Sequence, residues 1–531
     1  MKISISLAVL LILAFLIRAL FLDSIPTILN ADEAALAYNA LLLKETGYDE
    51  WGRQWPIALQ SFGDQKLVGY PAHIVPLFGI FGYHDWVVRL PAAIAGTVLV
   101  LLTYILSRKL SYSRLLSTVA ALLMVASPVW VFYSRTAFEA MVALTYMIAA
   151  LVLLLKQHSD ASWKTDVLAV GLLLFAGLTY NTPTILLPAL VIAIIFWRGI
   201  KEYRRWLLPV AGMAIIAVIL LSQLWQLSAQ KSQITLFNDP GTVDEYAQYH
   251  NSLDSSLKPF VGSKYVFLGM KVATNYARGF SPSFILQNDD GHPWHAIEGS
   301  GYLLLSVYLL GLAGSILLLL QIIKAVFIFI FSLKREFDKK HFLLMFLLIA
   351  GFLPAAVTVD APHATRSLLG LFIWGIMGIE FLSQALMTFS HTKSPALLSK
   401  VMITIVIFLI SLEGLLYLNH YFTQQKMSIV HRPGFDKVIN SVDEKYSDSD
   451  QKIIVTDDRG YEYIRTAWYL KLKPEVFFAT IGRQQPDIVG LRYGERLGRY
   501  HYLKQVSDRE KDETVAIEWS DELKAWRVLE F

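Results

Sequence analysis

The sequence predicts a polytopic α-helical membrane protein with a small α/β domain after its last apolar helix. Three observations lead there. The 531 residues are 55% hydrophobic and 13% aromatic, and only 17% are charged. With a mean hydropathy of +0.47, this is far greasier than a soluble globular chain. Apolar runs close to the ~20 residues that cross ~30 Å of hydrocarbon recur along the chain as far as Leu418. Beyond that point the polarity becomes that of a soluble domain. The net charge of +4 is small for this length, and the basic residues sit in short loops between apolar runs, so no nucleic-acid partner is expected. The absence of cysteine excludes disulfides, thiolate metal sites and cysteine nucleophiles.

The first run, "KISISLAVLLILAFLIRALFL", has no small-residue cleavage site and reads as a retained helix. Further runs fall at about 87–106, 115–133, 140–155, 206–226, 301–323, 342–359, 367–386 and 398–418. The stretch 166–197 is broken by "YNTP" at Tyr180–Pro183 and is flanked by basic loops on both sides. It is therefore expected to cross twice, which gives about eleven spans. The segment "LVGYPAHIVPLFGIFG" (67–82) carries two prolines and is expected to lie in the membrane interface without crossing. That choice puts "SRKLSYSR", "KQHSDASWK", "WRGIKEYRR", "KREFDKKH" and "HTKSP" on one side, the cytoplasmic one by the positive-inside rule. A multi-pass protein of the cytoplasmic membrane follows, with its N-terminus inside. Two large loops, about 23–86 and 227–300, then lie outside, as does the tail. The expected division is 1–420 for the membrane domain and 421–531 for an extracytoplasmic α/β domain, in which "KIIVTDD" reads as a strand and "GFDKVINSVDEKY" as a helix.

At the start of the first outer loop, "ILNADEAALAYNALLLKETGYDEWG" places Asp32 and Glu33 on an otherwise apolar helix. One reading is structural: Asn30 caps the helix, Glu33 reaches back to complete a capping box, and Asp32 suits the helix dipole. The other is functional, because a carboxylate against the membrane is an expensive group to keep. The topology gathers further charges on the same side. Glu139 and Arg135 lie in "YSRTAFEAM", Lys66 with Tyr70 in "FGDQKLVGYP", Arg89 at the start of "RLPAAIAG", and His363 and Arg366 in "DAPHATRSL". Arg135 and Arg366 also read as ordinary helix-end cations. A cleft with carboxylates on one wall and cations on another suits transfer from a lipid phosphate, with a base for the incoming hydroxyl and positive charge for the departing phosphate.

In order, "ADEAALAYNALLLKETGYDEWG", "SFGDQKLVGYPAHIVPLFGIFG", "RLPAAIAGTVLVLLTYILSRKL", "SPVWVFYSRTAFEAM" and "HATRSLLGL" resemble the GT-C glycosyltransferases, and among them the branch of protein O-mannosyltransferases and the aminoarabinose transferase of lipid A. The resemblance implies a GT-C-like membrane domain with interfacial helices in its first outer loop. It also implies a polyprenyl-phosphate-linked sugar as donor and an active site outside the cytoplasm. The family's carboxylate falls on Asp32, with Glu33 beside it, and its lysine on Lys66, although "KLVGYP" departs from the family's "KPP". A second acid falls on Glu139, and the late basic residue on Arg366, here followed by Ser367. Asp32 is expected to act as general base. Lys66, Arg135 and Arg366, with Arg89, His363 and Tyr70, are expected around the lipid phosphate. The acceptor is a hydroxyl of protein, glycan or lipid, and inversion follows from attack opposite the phosphate. A phosphate leaves readily, so no metal is obligatory. His250, Asp289, Asp290, His292 and His295 match no established ligand spacing, and a divalent metal is not expected. The alternative is a transporter or flippase of a lipid-linked sugar, although no inverted repeat is visible.

Overall fold

The structure is a computed structural model that describes residues 4–62, 64–155, 162–231, 235–292, 294–332, 338–390, 394–427, 431–449, 451–487, 490–509 and 515–531. All eleven expected apolar runs are helical: Ile5–Ala19, Asp85–Lys109, Arg114–Ala126 with Pro128–Arg135, Glu139–Leu154, Trp163–Thr179, Asn181–Arg198, Tyr203–Lys231, Leu305–Ser332, Lys339–Ala356, Leu368–Phe389 and Pro395–Met427. The chain is a multi-pass membrane protein. Among the described residues, seven helices are long and apolar enough to cross a bilayer, or eight if the pair bent by 54° between Ala126 and Pro128 is one span. The other three fall below that length: Ile5–Ala19 has 15 residues, Glu139–Leu154 has 16 and Trp163–Thr179 has 17, so at 1.5 Å per residue each falls short of ~30 Å. The break at "YNTP" is real, with Tyr180 extended between two helices. Gly69–Phe81, the segment expected to lie in the interface, is a 13-residue helix with Pro76 inside it, too short to cross. Parts of "KQHSDASWK", "KREFDKKH" and "HTKSP" lie outside the described residues.

The chain divides into two units. The first comprises Met1–Arg18, Ile94–Ser134 and Ala140–His420 and is a helical bundle. Small residues let its helices approach closely, as van der Waals packing between membrane helices requires. A Cβ at Gly314 would overlap the Met377 carbonyl, and one at Gly311 the ring of Trp374. The Trp374 indole in turn donates to the Tyr308 carbonyl at 3.1 Å.

The second unit comprises Ala19–Ala93, Arg135–Glu139 and Tyr421–Phe531. The residues after the expected break near 420 therefore cluster with the first loop instead of standing alone. An antiparallel hairpin joins β1 (Ala58–Ser61) to β2 (Asp64–Leu67). The expected α/β tail is a six-stranded sheet of β3 (Ile453–Thr456), β4 (Gly482–Arg483), β5 (Gly494–Leu497), β6 (Tyr500–Leu503), β7 (Val515–Ser520) and β8 (Ala525–Glu530), in the order β4-β5-β6-β3-β7-β8. The strand "IIVT" is parallel to both neighbours and wholly buried, which is why it reads as a continuous apolar run. At its end the Asp457 carboxylate accepts from the amides of Gly460, Tyr461 and Glu462 at 2.6–2.9 Å, capping the helix Glu462–Tyr469. Burial, then the nearby Glu462, push the Asp457 carboxyl up to about 7.

Two outcomes are expected. Gly314→Ala lowers stability in detergent by about 1–3 kcal/mol through overpacking. Gly171→Ala, where a Cβ meets nothing within 4 Å, is neutral or slightly stabilising; thermal unfolding of the matched pair checks this. For Asp457 the folded pKa stands above the unfolded one, so between about 4 and 7 the folded chain keeps a proton that the unfolded chain has lost. Stability therefore falls as pH rises through that window. Asp457→Asn flattens the slope, and unfolding midpoints across this pH range test it.

Candidate active site

The second unit holds most of the charged residues singled out by sequence, and its local structure explains their geometry. The helix Ala31–Thr46 starts with a complete capping box. Asn30 Oδ1 accepts from the Glu33 amide at 2.9 Å, and Glu33 Oε2 accepts from the Asn30 amide at 3.0 Å. The Glu33 carboxylate does more than cap. It also accepts from Arg89 Nε at 3.0 Å and Nη2 at 3.2 Å, and from the Ala137 amide at 2.8 Å. Arg89, fully buried, donates in addition to the carbonyls of Leu22, Pro26 and Ile28, each at 2.8 Å. Burial opposes ionisation of Glu33, but Arg89 and these donors outweigh it and hold the carboxyl below the ordinary glutamate range. Both oxygens are thus committed to holding the chain.

Asp32, one residue earlier, points elsewhere. Its side chain is 54% exposed, and Oδ1 lies 2.6 Å from Lys66 Nζ. Lys66 sits on β2, with its side chain only 10% exposed. Its ammonium stands 3.7 Å from Asp64 and 5.3 Å from the centre of the Phe62 ring. Burial works against its charge, yet the fields of Asp32, Asp64 and Glu139 raise its pKa above the ordinary lysine range. Asp32 and Lys66 therefore come together, joined by Asp64, which the sequence did not single out, and the field of Glu139 acts on the same ammonium.

The hairpin that carries Lys66 is anchored through Glu50. That carboxylate accepts from Asn39 Nδ2 at 3.2 Å, Ser61 Oγ at 2.7 Å and Tyr463 Oη at 2.9 Å. Asn39 lies on the same helix as Asp32, so one buried acid fixes both sides of the Asp32–Lys66 pair. Tyr461, a few residues earlier in the tail than Tyr463, packs its ring 5.4 Å from that of Phe62. No motif marked it, because its ring partner Phe62 lies 399 positions earlier in the chain.

Two other expected residues belong to the frame. Arg135 donates to the carbonyls of Leu20 and Ile25 at 2.8 and 2.9 Å, and packs over the rings of Tyr421 and Phe422. Tyr70 is fully buried and donates to the Val88 carbonyl at 3.0 Å.

His363 and Arg366 lie in the first unit, in the turn between the helices Lys339–Ala356 and Leu368–Phe389. Arg366 pairs with Asp360 and donates to Thr358 Oγ1 at 2.9 Å. His363 contacts Asp360 at 3.6 Å, and its ring packs against those of His292 and His295. Burial, then the Arg366 guanidinium, push His363 well below the ordinary histidine range. Among the described residues, His292, Asp360 and His363 form a group whose ligand atoms lie within 4.8 Å of one another.

Comparison with known proteins bears on the fold. Residues 70–225 match the family model described as dolichyl-phosphate-mannose-protein mannosyltransferase. No curated protein matches the chain. Among solved structures, ArnT from Cupriavidus metallidurans, both apo and bound to undecaprenyl phosphate, superposes with a TM-score of 0.51 at 14% identity, covering 87% of this chain and 84% of that one. The Archaeoglobus fulgidus oligosaccharyltransferase tethered to an acceptor peptide with the NVT sequon superposes with a TM-score of 0.50 at 12% identity, covering 87% of this chain and 63% of that one. The chain thus has the GT-C fold, the fold of a family of membrane glycosyltransferases.

Proposed function

We propose that this protein transfers a sugar from a polyprenyl-phosphate-linked donor to an acceptor hydroxyl at the outer face of the cytoplasmic membrane, with inversion. The observation that carries the reading is the Asp32–Lys66 pair: a half-exposed carboxylate bonded at 2.6 Å to a largely buried ammonium. An alcohol attacks a sugar well only when its proton has somewhere to go, and a carboxylate within hydrogen-bond reach typically contributes ~10²–10⁴-fold. Asp32 takes that proton as the acceptor oxygen bonds to the anomeric carbon. The bond from that carbon to the phosphate oxygen breaks, and the polyprenyl phosphate leaves with the electron pair. Lys66 has three donors; one engages Asp32, and one that remains meets the charge developing on the phosphate. Glu139 and Asp64 keep the ammonium charged. Attack opposite the phosphate inverts the anomeric carbon. A phosphate is a sufficient leaving group, so this step asks for no metal. Glu33, Arg89, Arg135 and Tyr70 hold the chain in place around the pair. The ArnT structure of the same fold that holds undecaprenyl phosphate supports a lipid phosphate as the donor's carrier.

In a reconstituted assay with polyprenyl-phosphate sugars, Asp32→Asn loses ~10²–10⁴-fold in kcat while the protein keeps its thermal stability. Lys66→Met loses activity with a raised KM for the donor lipid. Movement of intact donor lipid across the bilayer without sugar transfer would instead make the chain a transporter. Glu33→Gln gives the opposite pattern to Asp32→Asn. It leaves Arg89 buried without its counter-charge and costs about 3–5 kcal/mol of stability, read as a lowered unfolding midpoint.

A further inference from the structure

Three helix ends of the first unit meet around a cavity of about 250 Å³. The helix Asp85–Lys109 ends there with Lys109 and, just beyond it, Ser111. Asn181–Arg198 brings Trp197, and Lys339–Ala356 begins there with Lys339 and Lys340, capped by Asp338. The last of these helices has 18 residues, about 27 Å at 1.5 Å per residue, which is close to the ~30 Å of membrane hydrocarbon. The cavity therefore sits at a membrane surface, at the opposite end of that helix from the turn that carries His363. It is the face on which "SRKLSYSR", "WRGIKEYRR" and "KREFDKKH" gather by sequence.

Three of the four charged side chains around the cavity are ammonium groups. Lys340 is matched by the buried Glu380, whose Oε2 lies 2.7 Å from its Nζ. Lys339 donates to the Trp197 carbonyl at 3.1 Å, a neutral partner that leaves its charge uncompensated. Asp338 is engaged as the helix cap, Oδ1 accepting from the Lys340 amide at 2.8 Å. With Glu380 counted among them, the group keeps one positive charge. An ammonium has three donors, so Lys339 and Lys340 each retain at least one for a ligand.

A lipid phosphodiester fits this chemistry. It carries one negative charge, and its two unesterified oxygens accept from ammonium and hydroxyl groups, the charge-assisted bonds being the stronger ones. Trp197 is of the residue type that lies at headgroup level. The helices that end here expose Ile192 and Ile349 to the membrane, the medium in which acyl chains rest. The volume lies just below the ~300 Å³ of the smaller drug-sized sites, enough for a headgroup whose chains stay outside. Basic pockets between membrane helices are a recurrent place for anionic headgroups.

We propose that this cavity binds the phosphodiester headgroup of one anionic phospholipid, with Lys109, Lys339 and Ser111 as donors to the phosphate and Lys340 held in the wall by Glu380. The bound lipid ties the three helix ends together and stabilises the first unit. It is independent of the Asp32–Lys66 chemistry.

The test uses full-length protein purified in detergent and freed of lipid, to which phosphatidylglycerol or phosphatidylcholine is returned. Native mass spectrometry counts the lipid retained, and unfolding temperature is followed in parallel. One phosphatidylglycerol per chain is expected, with a rise in unfolding temperature that phosphatidylcholine does not give. Lys109→Gln/Lys339→Gln weakens its binding about 30-fold, the loss of two lysines near a membrane surface. Lys201→Gln/Arg204→Gln removes the same charge from exposed positions outside the cavity and keeps the lipid, which separates a site from a general attraction to basic surface. Should the first double variant not fold, Lys109→Gln and Lys339→Gln singly, each weakening binding about fivefold, replace it. Equal retention by the cavity variants and the wild type, equal loss in the two double variants, or equal retention of phosphatidylcholine overturns the proposal. So does displacement of the lipid by an equal concentration of dissolved glycerol 3-phosphate, which assigns the cavity to a soluble phosphate ester instead.

Discussion

The second unit depends on one buried ion pair. Glu33 and Arg89 meet where water cannot screen them, and between them they satisfy the cap of the helix Ala31–Thr46, the Ala137 amide and three carbonyls of the segment 22–28. Pairing two charges in a dry interior gains little by itself, because desolvation offsets most of the attraction. What the pair supplies is definition. A guanidinium with five fixed donors, facing a carboxylate with four acceptor sites, admits few arrangements of the backbone around it.

That frame separates two adjacent carboxylates into different tasks. Successive residues on an α-helix are about 100° apart, so a helix that buries Glu33 turns Asp32 away from the same pocket. The neighbour then emerges beside the hairpin that carries Lys66. The hairpin is held to the helix through Glu50 and Asn39, so the separation of Asp32 and Lys66 is set by buried hydrogen bonds instead of by two flexible side chains searching for each other. A preorganised pair of this kind loses little on meeting a substrate.

The first unit solves a different problem. Its helices have no hydrophobic driving force toward one another within lipid, and glycines such as Gly311 and Gly314 replace it with close backbone contact. At the turn before the helix Leu368–Phe389 the His292, His295, Asp360 and His363 side chains converge, joined by Asp290 and Arg366.

Periodicity and hydropathy determined the helical membrane architecture, the break at Tyr180, the short helix at 67–82 and the α/β character of the tail, because each is written in consecutive residues. Motif and topology also marked Asp32, Lys66 and Glu139. The capping box at Asn30 was legible because its two members lie only three positions apart. Only the tertiary structure decided that Glu33 is committed to Arg89, that Arg135 and Tyr70 brace the chain, and that tail residues Tyr461 and Tyr463 pack on the hairpin. Likewise, His363 completes a cluster begun 71 positions earlier at His292. Those facts depend on side chains meeting across long stretches of chain, and spacing along a sequence carries no record of which distant partner a buried polar atom will find.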